Sequence, residues 1–398
     1  MLPSLVFWGK LCLTTHTEWV YCPSTMSEME TDFQGLHEPA SCLKATSKRH
    51  GGLDILRALA ALFVIVNHAT FLPAGSGVAD KWCTAIIYAI VFPAVPLFVM
   101  MSGAFILNND RNRNAWSFYW HSLKKLFPVC FVTFVVYFCL YTEYPGKFIH
   151  GTESLAQMVK HFFAWYEQGA AAPLWYICML PGLYLVAPLI VLIRQKTPWF
   201  VHVALFAGLF WLSWQFRGWE QVYPWTAVRW LYWFVLGMIL MNLAKVERKV
   251  GVTLAAIATA CMLVVASVRL FLLMDGTDDF YSLHYAAYDD IVNSLLVVCM
   301  FVLFVQLKDW TPNWLVSKFA EVSLLIYLMH MLVLRLLMGV VYHAGLISTL
   351  HHNYVVSFLY GFSAIVLSFV LSWAVQSACG RVRSALSSRF ARSAKAGI

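Results

Sequence analysis

Residues 53–71 read LDILRALAALFVIVNHATF, an apolar run long enough to cross a bilayer that nevertheless contains Asp54, Arg57, Asn67 and His68. Ionisable side chains inside a spanning helix are costly, and they usually face the protein interior and serve function. Arg57 and His68 are eleven residues apart, which in a helix is about three turns and roughly 16 Å of rise, with directions within roughly 20° of each other. This layout predicts a site that holds a long anionic cofactor at the arginine end and performs chemistry at the histidine end.

The composition predicts a polytopic membrane protein. Of the 398 residues, 61% are hydrophobic and only 12% are charged, and the mean hydropathy is +0.68, whereas a soluble domain carries about 25% charged residues. The net charge of +8 lies in short loops and near the C-terminus, as topology signals do, which argues against nucleic acid as a partner. The ten cysteines show no C-x-x-C spacing and are typical of small buried apolar residues.

The sequence divides into three predicted parts. Residues 1–52 are expected to be a disordered leader or the product of a misplaced start codon, residues 53–378 a membrane domain, and residues 379–398 a basic cytoplasmic tail. Ten segments have the length of about twenty residues that a spanning helix needs. They lie near residues 53–72, 84–107, 122–142, 172–193, 199–216, 228–244, 251–273, 289–307, 320–343 and 354–378.

The distribution of basic residues predicts the orientation of these spans. Lysine and arginine are concentrated in alternate loops and in the C-terminal tail. The positive-inside rule therefore places both termini in the cytoplasm, Arg57 near the cytoplasmic face and His68 toward the outer side. The predicted fold class is an all-α integral membrane protein with a bundle of about ten transmembrane helices.

Four segments resemble one known family. They are Arg57 followed by ten residues and His68, PLFVMMSGAFIL at 96–107, LWYICMLPGLYLVAPLI at 174–190, and SLLIYLMHMLVL at 323–334. In this order the chain resembles the acyltransferase-3 family of integral membrane O-acyltransferases, and in particular short single-domain members such as the O-acetyltransferase of enterobacterial common antigen. The resemblance implies acyl-CoA as donor, acetyl-CoA first of all, and a surface polysaccharide or lipid-linked glycan as acceptor. The sequence shows no metal-ligand spacing, so no metal is expected.

His68 and Arg57 are the catalytic candidates. An imidazole titrates near neutral pH, so His68 can take the proton of an acceptor hydroxyl and later return it. The resemblance implies this role and leaves open whether His68 first carries the acyl group itself. It also implies that Arg57 binds acyl-CoA, whose phosphates suit the guanidinium fork. From the residues alone, a structural His68 and an Arg57 that pairs with Asp54 or reaches the interface remain open.

The loop before the third span supplies further candidates for donor binding, namely Arg113, Lys124 and Lys125. The family often has two arginines three residues apart before the proline of this span, whereas residues 121–128 read HSLKKLFP. Lysines can still meet phosphates as point charges. A plain topology signal is the alternative for these residues.

A second group of residues is expected to line a cavity between the spans. Gly103 permits close helix approach and Ser102 can bond across helices, so plain packing is the first interpretation of this pair and a place in the cavity the second. His330 is predicted near mid-membrane, where an imidazole needs a polar neighbour or a cavity. Trp175 and Tyr176 are expected at the outer mouth of the fourth span. The whole group comprises Asp54, Ser102, Trp175, Tyr176, Tyr327, His330 and Arg335.

The sequence thus favours a multi-pass O-acyltransferase of the bacterial inner membrane, with the lipid bilayer, a glycan or lipid-linked saccharide, and the glycan assembly machinery as partners. A secondary transporter of an organic anion or acyl group is the first alternative. Matching halves and symmetric broken spans, which indicate a transporter, are not evident in the sequence. A partner in glycan export is the second alternative, and it would tolerate the loss of His68.

Overall fold

The computed structural model describes residues 50–69, 77–167, 174–215, 226–242, 248–274 and 290–396. Within these ranges the chain is helical and forms no β-strand, which confirms the predicted all-α class. The predicted leader lies outside the described residues except for its last three positions.

The described helices follow the predicted spans. In chain order they are α1 (Gly51–Ala69), α2 (Val78–Val91), α3 (Ala94–Leu107), the 3-10 helix Asp110–Arg113, α4 (Ala115–Tyr141), α5 (Tyr144–Ile149), α6 (Leu155–Glu167), α7 (Trp175–Lys196), α8 (Trp199–Gln215), α9 (Thr226–Leu240), α10 (Arg248–Met274), α11 (Ile291–Gln306), α12 (Trp314–Glu321), α13 (Ser323–His343), α14 (Ile347–His352) and α15 (Tyr354–Ala396). A helix lies at each of the ten predicted spans.

Seven of the described helical segments are long and apolar enough to cross a membrane, counting α2 and α3 as one segment, Val78–Leu107. Three shorter apolar helices, α8, α9 and α11, coincide with the fifth, sixth and eighth predicted spans. The protein is therefore a multi-pass membrane protein. The count of ten spans and the cytoplasmic placement of both termini stay predictions.

Two spans differ from the sequence prediction in a way that their residues explain. The second span is interrupted between α2 and α3, because Pro93 and Pro96 lack the N–H groups that would carry the helix across this point. The last span was expected to end near residue 378, but α15 continues to Ala396. No proline lies between residues 354 and 396, and alanine and arginine favour helix there.

The first helix, α1, is the most central described element. It packs against six helices, namely α2, α3, α11, α12, α13 and α15. At its start, a Cβ on Gly51 or Gly52 would overlap the backbone carbonyl groups of Trp310 and Phe304. The N–H of Gly51 also donates to the carbonyl oxygen of Lys308 at 3.1 Å. The polar residues of α1 are therefore carried inside the bundle by a tightly held helix.

Glycines also bring α3 and α9 into direct backbone contact. A Cβ on Gly103 would overlap the carbonyl group of Phe234, and a Cβ on Gly237 would overlap the carbonyl group of Met100. Each helix thus offers a glycine to the backbone of the other, which is the close packing that small residues allow in membranes. This confirms the packing role predicted for Gly103, and it fixes the position of its neighbour Ser102.

We expect Gly103→Ala to destabilise the protein strongly, because the added methyl group forces α3 and α9 apart. Overpacking of this kind costs about 1–3 kcal/mol and sometimes more. Gly339→Ala on α13 is the matched control, since a Cβ there meets nothing within 4 Å and alanine gains up to about 1 kcal/mol of helix propensity over glycine. Thermal unfolding of the detergent-solubilised protein measures both. Equal melting temperatures for the two variants would contradict the close contact.

Candidate functional site

Arg57 is held in place from two sides. Its Nη1 atom lies 3.5 Å from Oδ1 of Asp54, and the two side chains are 31% and 6% exposed. The guanidinium carbon lies 5.3 Å from the ring centroid of Phe105 on α3, a distance at which a cation is attracted to a ring face. The pairing with Asp54, one of the alternatives left open for Arg57, is therefore present, and it holds the cation inside the bundle.

His68 meets a second histidine at the other end of α1. Its ring centroid lies 5.4 Å from that of His330 on α13, and the two ring planes are inclined by 35°. His330 is fully buried, whereas His68 is half-buried. Since α1 is an unbroken helix over Gly51–Ala69, the predicted rise of roughly 16 Å between Arg57 and His68 applies.

Aromatic residues connect these two ends. The ring centroid of Tyr327 lies 5.7 Å from that of His330 and 5.2 Å from that of Tyr176 on α7. The Tyr176 side chain in turn lies near Ser102 on α3 and within range of the charge of Arg57. We call Tyr176, Tyr327 and His330 the aromatic wall. It is a buried series of polar rings from α7 and α13 that links the Arg57 end of the site to the His68 end.

Tyr176 and Trp175 are placed differently from each other. The sequence places both at the outer mouth of the fourth span, but Tyr176 is only 6% exposed and packs against Phe98 and Tyr327 in the interior. Trp175 is half-buried and lies against Trp230 of α9, with ring centroids 5.3 Å apart. Of the two residues, Tyr176 joins the aromatic wall.

The basic candidates before and within the third span lie on the surface. Arg113, Lys124 and Lys125 are all exposed, and the amine of Lys124 lies 4.5 Å from the ring centroid of Trp120 on the same helix. The buried side of α4 is formed instead by residues such as Phe134 and Tyr137. The structure therefore does not place these three cations beside Arg57.

Arg335 also lies apart from the aromatic wall. Its side chain is exposed, and its guanidinium carbon is 4.3 Å from the ring centroid of Tyr141 on α4. The hydroxyl of Tyr141 donates to the carbonyl oxygen of Met331 at 3.4 Å. Arg335 thus helps to join α4 to α13 on the outside of this helix pair.

Several residues at the site were not singled out from the sequence. Phe105 faces the guanidinium of Arg57, Phe98 packs on Tyr176, and Trp230 packs on Trp175. Tyr137 is fully buried and its hydroxyl donates to the carbonyl oxygen of Leu328 at 2.8 Å. The three aromatic residues look like ordinary membrane residues in sequence. A tyrosine in the middle of the apolar α4 was the one signal available for Tyr137.

A polar lock joins α3 and α7, the helices that carry Ser102 and Tyr176. The Nε of Arg194 donates to the carbonyl oxygen of Leu107 at 2.8 Å, and its Nη2 pairs with Oδ1 of Asp110. The Nε2 of Gln195 donates to the same carboxylate at 3.0 Å. The hydrogen bond from Gln195 is the largest cause that holds the pKa of Asp110 below its ordinary value of 3.8. The hydrogen bond from Arg194 and then the charge of Arg194 lower this pKa further.

The fold and the site define a class of protein: a polytopic helical membrane protein whose central span carries an arginine and a histidine joined by buried polar rings. Residues 50–376 match the family model described as an acyltransferase domain, the acyltransferase-3 model. The chain belongs to that family and is a membrane acyltransferase. No curated protein and no solved structure matches the chain closely enough to count as a relative. The narrower resemblance to the enterobacterial common antigen enzyme stays a prediction.

We expect Asp110→Asn to lower the melting temperature at neutral pH, because it breaks the lock between α3 and α7. A carboxylate with a lowered pKa stabilises the fold above its ordinary pKa, and this contribution is lost as the pH falls through the lowered value. The difference between wild type and variant should therefore disappear on acidification. Melting temperatures measured from pH 7 to pH 3 test this.

Glu143→Gln is the control for this prediction, because the pair between Glu143 and Lys147 lies within one stretch of chain and is exposed. Such local surface pairs contribute little. A loss for Asp110→Asn no larger than that for Glu143→Gln would show that the lock does not hold the two helices together.

Proposed function

We propose that this protein is an O-acyltransferase that moves an acetyl group from cytoplasmic acetyl-CoA to a hydroxyl of a surface polysaccharide or lipid-linked glycan. The observation that carries the proposal is the linked pair on α1, in which Arg57 and His68 stand roughly 16 Å apart and the aromatic wall joins them. One end offers a cation, and the other offers a proton acceptor.

Arg57 is the proposed binding group for the phosphates of the donor. A guanidinium presents a planar fork of N–H donors that suits phosphate oxygens. The Asp54 carboxylate and the Phe105 ring hold the group in one place, so little freedom is lost on binding. The extended arm of the donor would then follow the face of α1 past Tyr176 and Tyr327 toward His68. Arg113, Lys124 and Lys125 are proposed as outlying contacts that attract the anion to the surface.

His68 is the proposed general base. The acceptor oxygen attacks the thioester carbonyl carbon, a C–O bond forms and the C–S bond breaks. The hydroxyl proton passes to His68 and then to the departing sulfur of the donor, so protons and charge balance. An alcohol is a weak nucleophile until it loses its proton, and a positioned imidazole near neutral pH meets this need. The alternative order, in which His68 first carries the acetyl group, uses the same atoms in two displacements.

The orientation predicted from the basic loops places His68 toward the outer side of a bacterial inner membrane, where glycans are modified before or during export. The lipid bilayer, the glycan acceptor and the glycan assembly machinery are the partners that this location implies. The acceptor would approach from the outer side and the donor from the cytoplasm. The two substrates would therefore enter one passage from opposite ends and meet at His68.

We predict that His68→Ala abolishes acetyl transfer, with a loss of about 10²–10⁴-fold, the range typical of a general base. The measurement is transfer of label from radiolabelled acetyl-CoA to membrane glycans at matched expression. His343→Ala is the control, because His343 is exposed at the end of α13. Undiminished transfer by His68→Ala would make His68 structural. No transfer by the wild type would favour a transporter or another donor.

We predict that Arg57→Lys raises the KM for acetyl-CoA by about tenfold or more, because the charge is kept and the fork is lost. Charge-assisted hydrogen bonds of this kind contribute about 1.5–3 kcal/mol. The double variant Lys124→Ala/Lys125→Ala should change KM by less, since both amines are exposed on α4. Steady-state kinetics in membrane vesicles compare the three proteins. A larger effect from the lysine pair would place the donor on α4 instead of α1.

A further inference from the structure

His330 is held in one protonation form by its own helix. Its Nδ1 lies 2.6 Å from the carbonyl oxygen of Tyr327, one turn earlier on α13. A carbonyl oxygen only accepts hydrogen bonds, so Nδ1 carries the proton and Nε2 of the neutral ring presents a lone pair. The residue is fully buried, and Nε2 has no hydrogen-bond partner among the residues that the structure describes. A buried acceptor without a partner is unfavourable and calls for an explanation.

The neighbouring group that fits this lone pair is the ring of His68. An N–H···N bond of about 2.9 Å between two imidazoles places their ring centroids roughly 5 Å apart. The centroids of His68 and His330 lie 5.4 Å apart, only a few tenths of an ångström beyond that distance. A small rotation of the half-buried His68 therefore brings its N–H onto the Nε2 of His330.

We propose that His330 is a positioning residue for His68, accepting the N–H of one His68 nitrogen and thereby turning the other, unprotonated nitrogen toward the acceptor hydroxyl. The proposal rests on the proposed function, in which His68 is the base. A base whose second nitrogen is bonded to an orienting group is fixed in tautomer and direction. When His68 takes the hydroxyl proton, the resulting imidazolium keeps its second N–H on His330.

The low polarity of the membrane interior explains why a neutral histidine suits this role. An ionised carboxylate would orient an imidazole equally well, but a second charged group inside a span is costly. The neutral ring of His330 supplies the acceptor without a charge. The hydrogen bond to the Tyr327 carbonyl oxygen fixes the orientation of the His330 ring. The aromatic wall therefore orients His68 in addition to lining the proposed donor path.

The first test compares His330→Leu, which removes the acceptor, with His330→Gln, which restores a side-chain carbonyl oxygen. We expect His330→Leu to lower kcat for acetyl transfer by about 10–100-fold while the KM for acetyl-CoA stays within about twofold, as expected when only an effect on the base is lost. His330→Gln should recover at least about tenfold of that loss. His343→Leu on the same helix is the control and should match the wild type.

Three kinetic results would overturn the proposal. They are a kcat for His330→Leu within about twofold of the wild type, an equal loss in the Leu and Gln variants, and an increase in KM with unchanged kcat. Each would assign His330 to packing or to donor binding instead of to the positioning of His68.

A second measurement does not depend on activity or on how His330→Leu folds. Solid-state NMR of the [¹⁵N]histidine-labelled protein in lipid bilayers can detect coupling across an N–H···N bond, with His68→Asn and His330→Gln used to assign the two rings among the 13 histidines. We expect a coupling in the wild type that is lost in both variants. Its absence from the assigned wild-type spectrum overturns the pairing. A coupling in a protein that transfers no acetyl group would uphold the pairing and refute the proposed function instead.

Discussion

The structure depends on the enclosure of charged and polar side chains that the hydrocarbon of a membrane cannot accept. An arginine or a histidine in a spanning helix has to be surrounded by protein, and it has to find partners there. Six helices surround α1, and the carboxylate of Asp54, the ring of Phe105 and the ring of His330 meet its polar residues. The polar residues can form a site because they lie on α1, the helix that the other helices enclose.

This enclosure has consequences for helices that carry no charge. Backbone contacts at Gly51 and Gly52 seat the start of α1, and those at Gly103 and Gly237 bring α3 and α9 together. Such contacts leave little freedom for sliding between helices, so Ser102 on α3 is kept near Tyr176 on α7. The lock around Asp110 then fixes the ends of the same two helices. Small residues and one exposed polar cluster thus support a site that neither of them touches.

Much of the fold could be predicted from the sequence, because span length and hydropathy are local properties. A helix lies at each predicted span, and the eleven-residue spacing of Arg57 and His68 gives a reliable distance in any unbroken helix. The interruption at Pro93 and the length of α15 also follow from local residue types, namely where proline is present and where it is absent. Both features could be predicted from the positions of proline without knowledge of tertiary contacts.

The composition of the site could be predicted only in part, since it depends on which faces of distant helices meet. The sequence named His330, Tyr327 and Tyr176 but gave no sign that their rings form one series ending at His68. It placed Tyr176 at the outer mouth of the fourth span, and the structure buries its side chain. It also proposed Lys124 and Lys125 from their charge and their place before Pro128, and their position on the exposed side of α4 is set by packing that no local pattern reveals.

The central claim is that the donor lies along α1 between Arg57 and His68. The most direct test is a cryo-electron microscopy structure of the wild-type protein with a non-hydrolysable acetyl-CoA analogue in which a methylene group replaces the thioester sulfur. The account predicts that the phosphates contact Arg57 and that the ketone carbon lies beside His68, with room for an acceptor hydroxyl between them. An analogue bound on the surface of α4, or with its acetyl end away from His68, would contradict it.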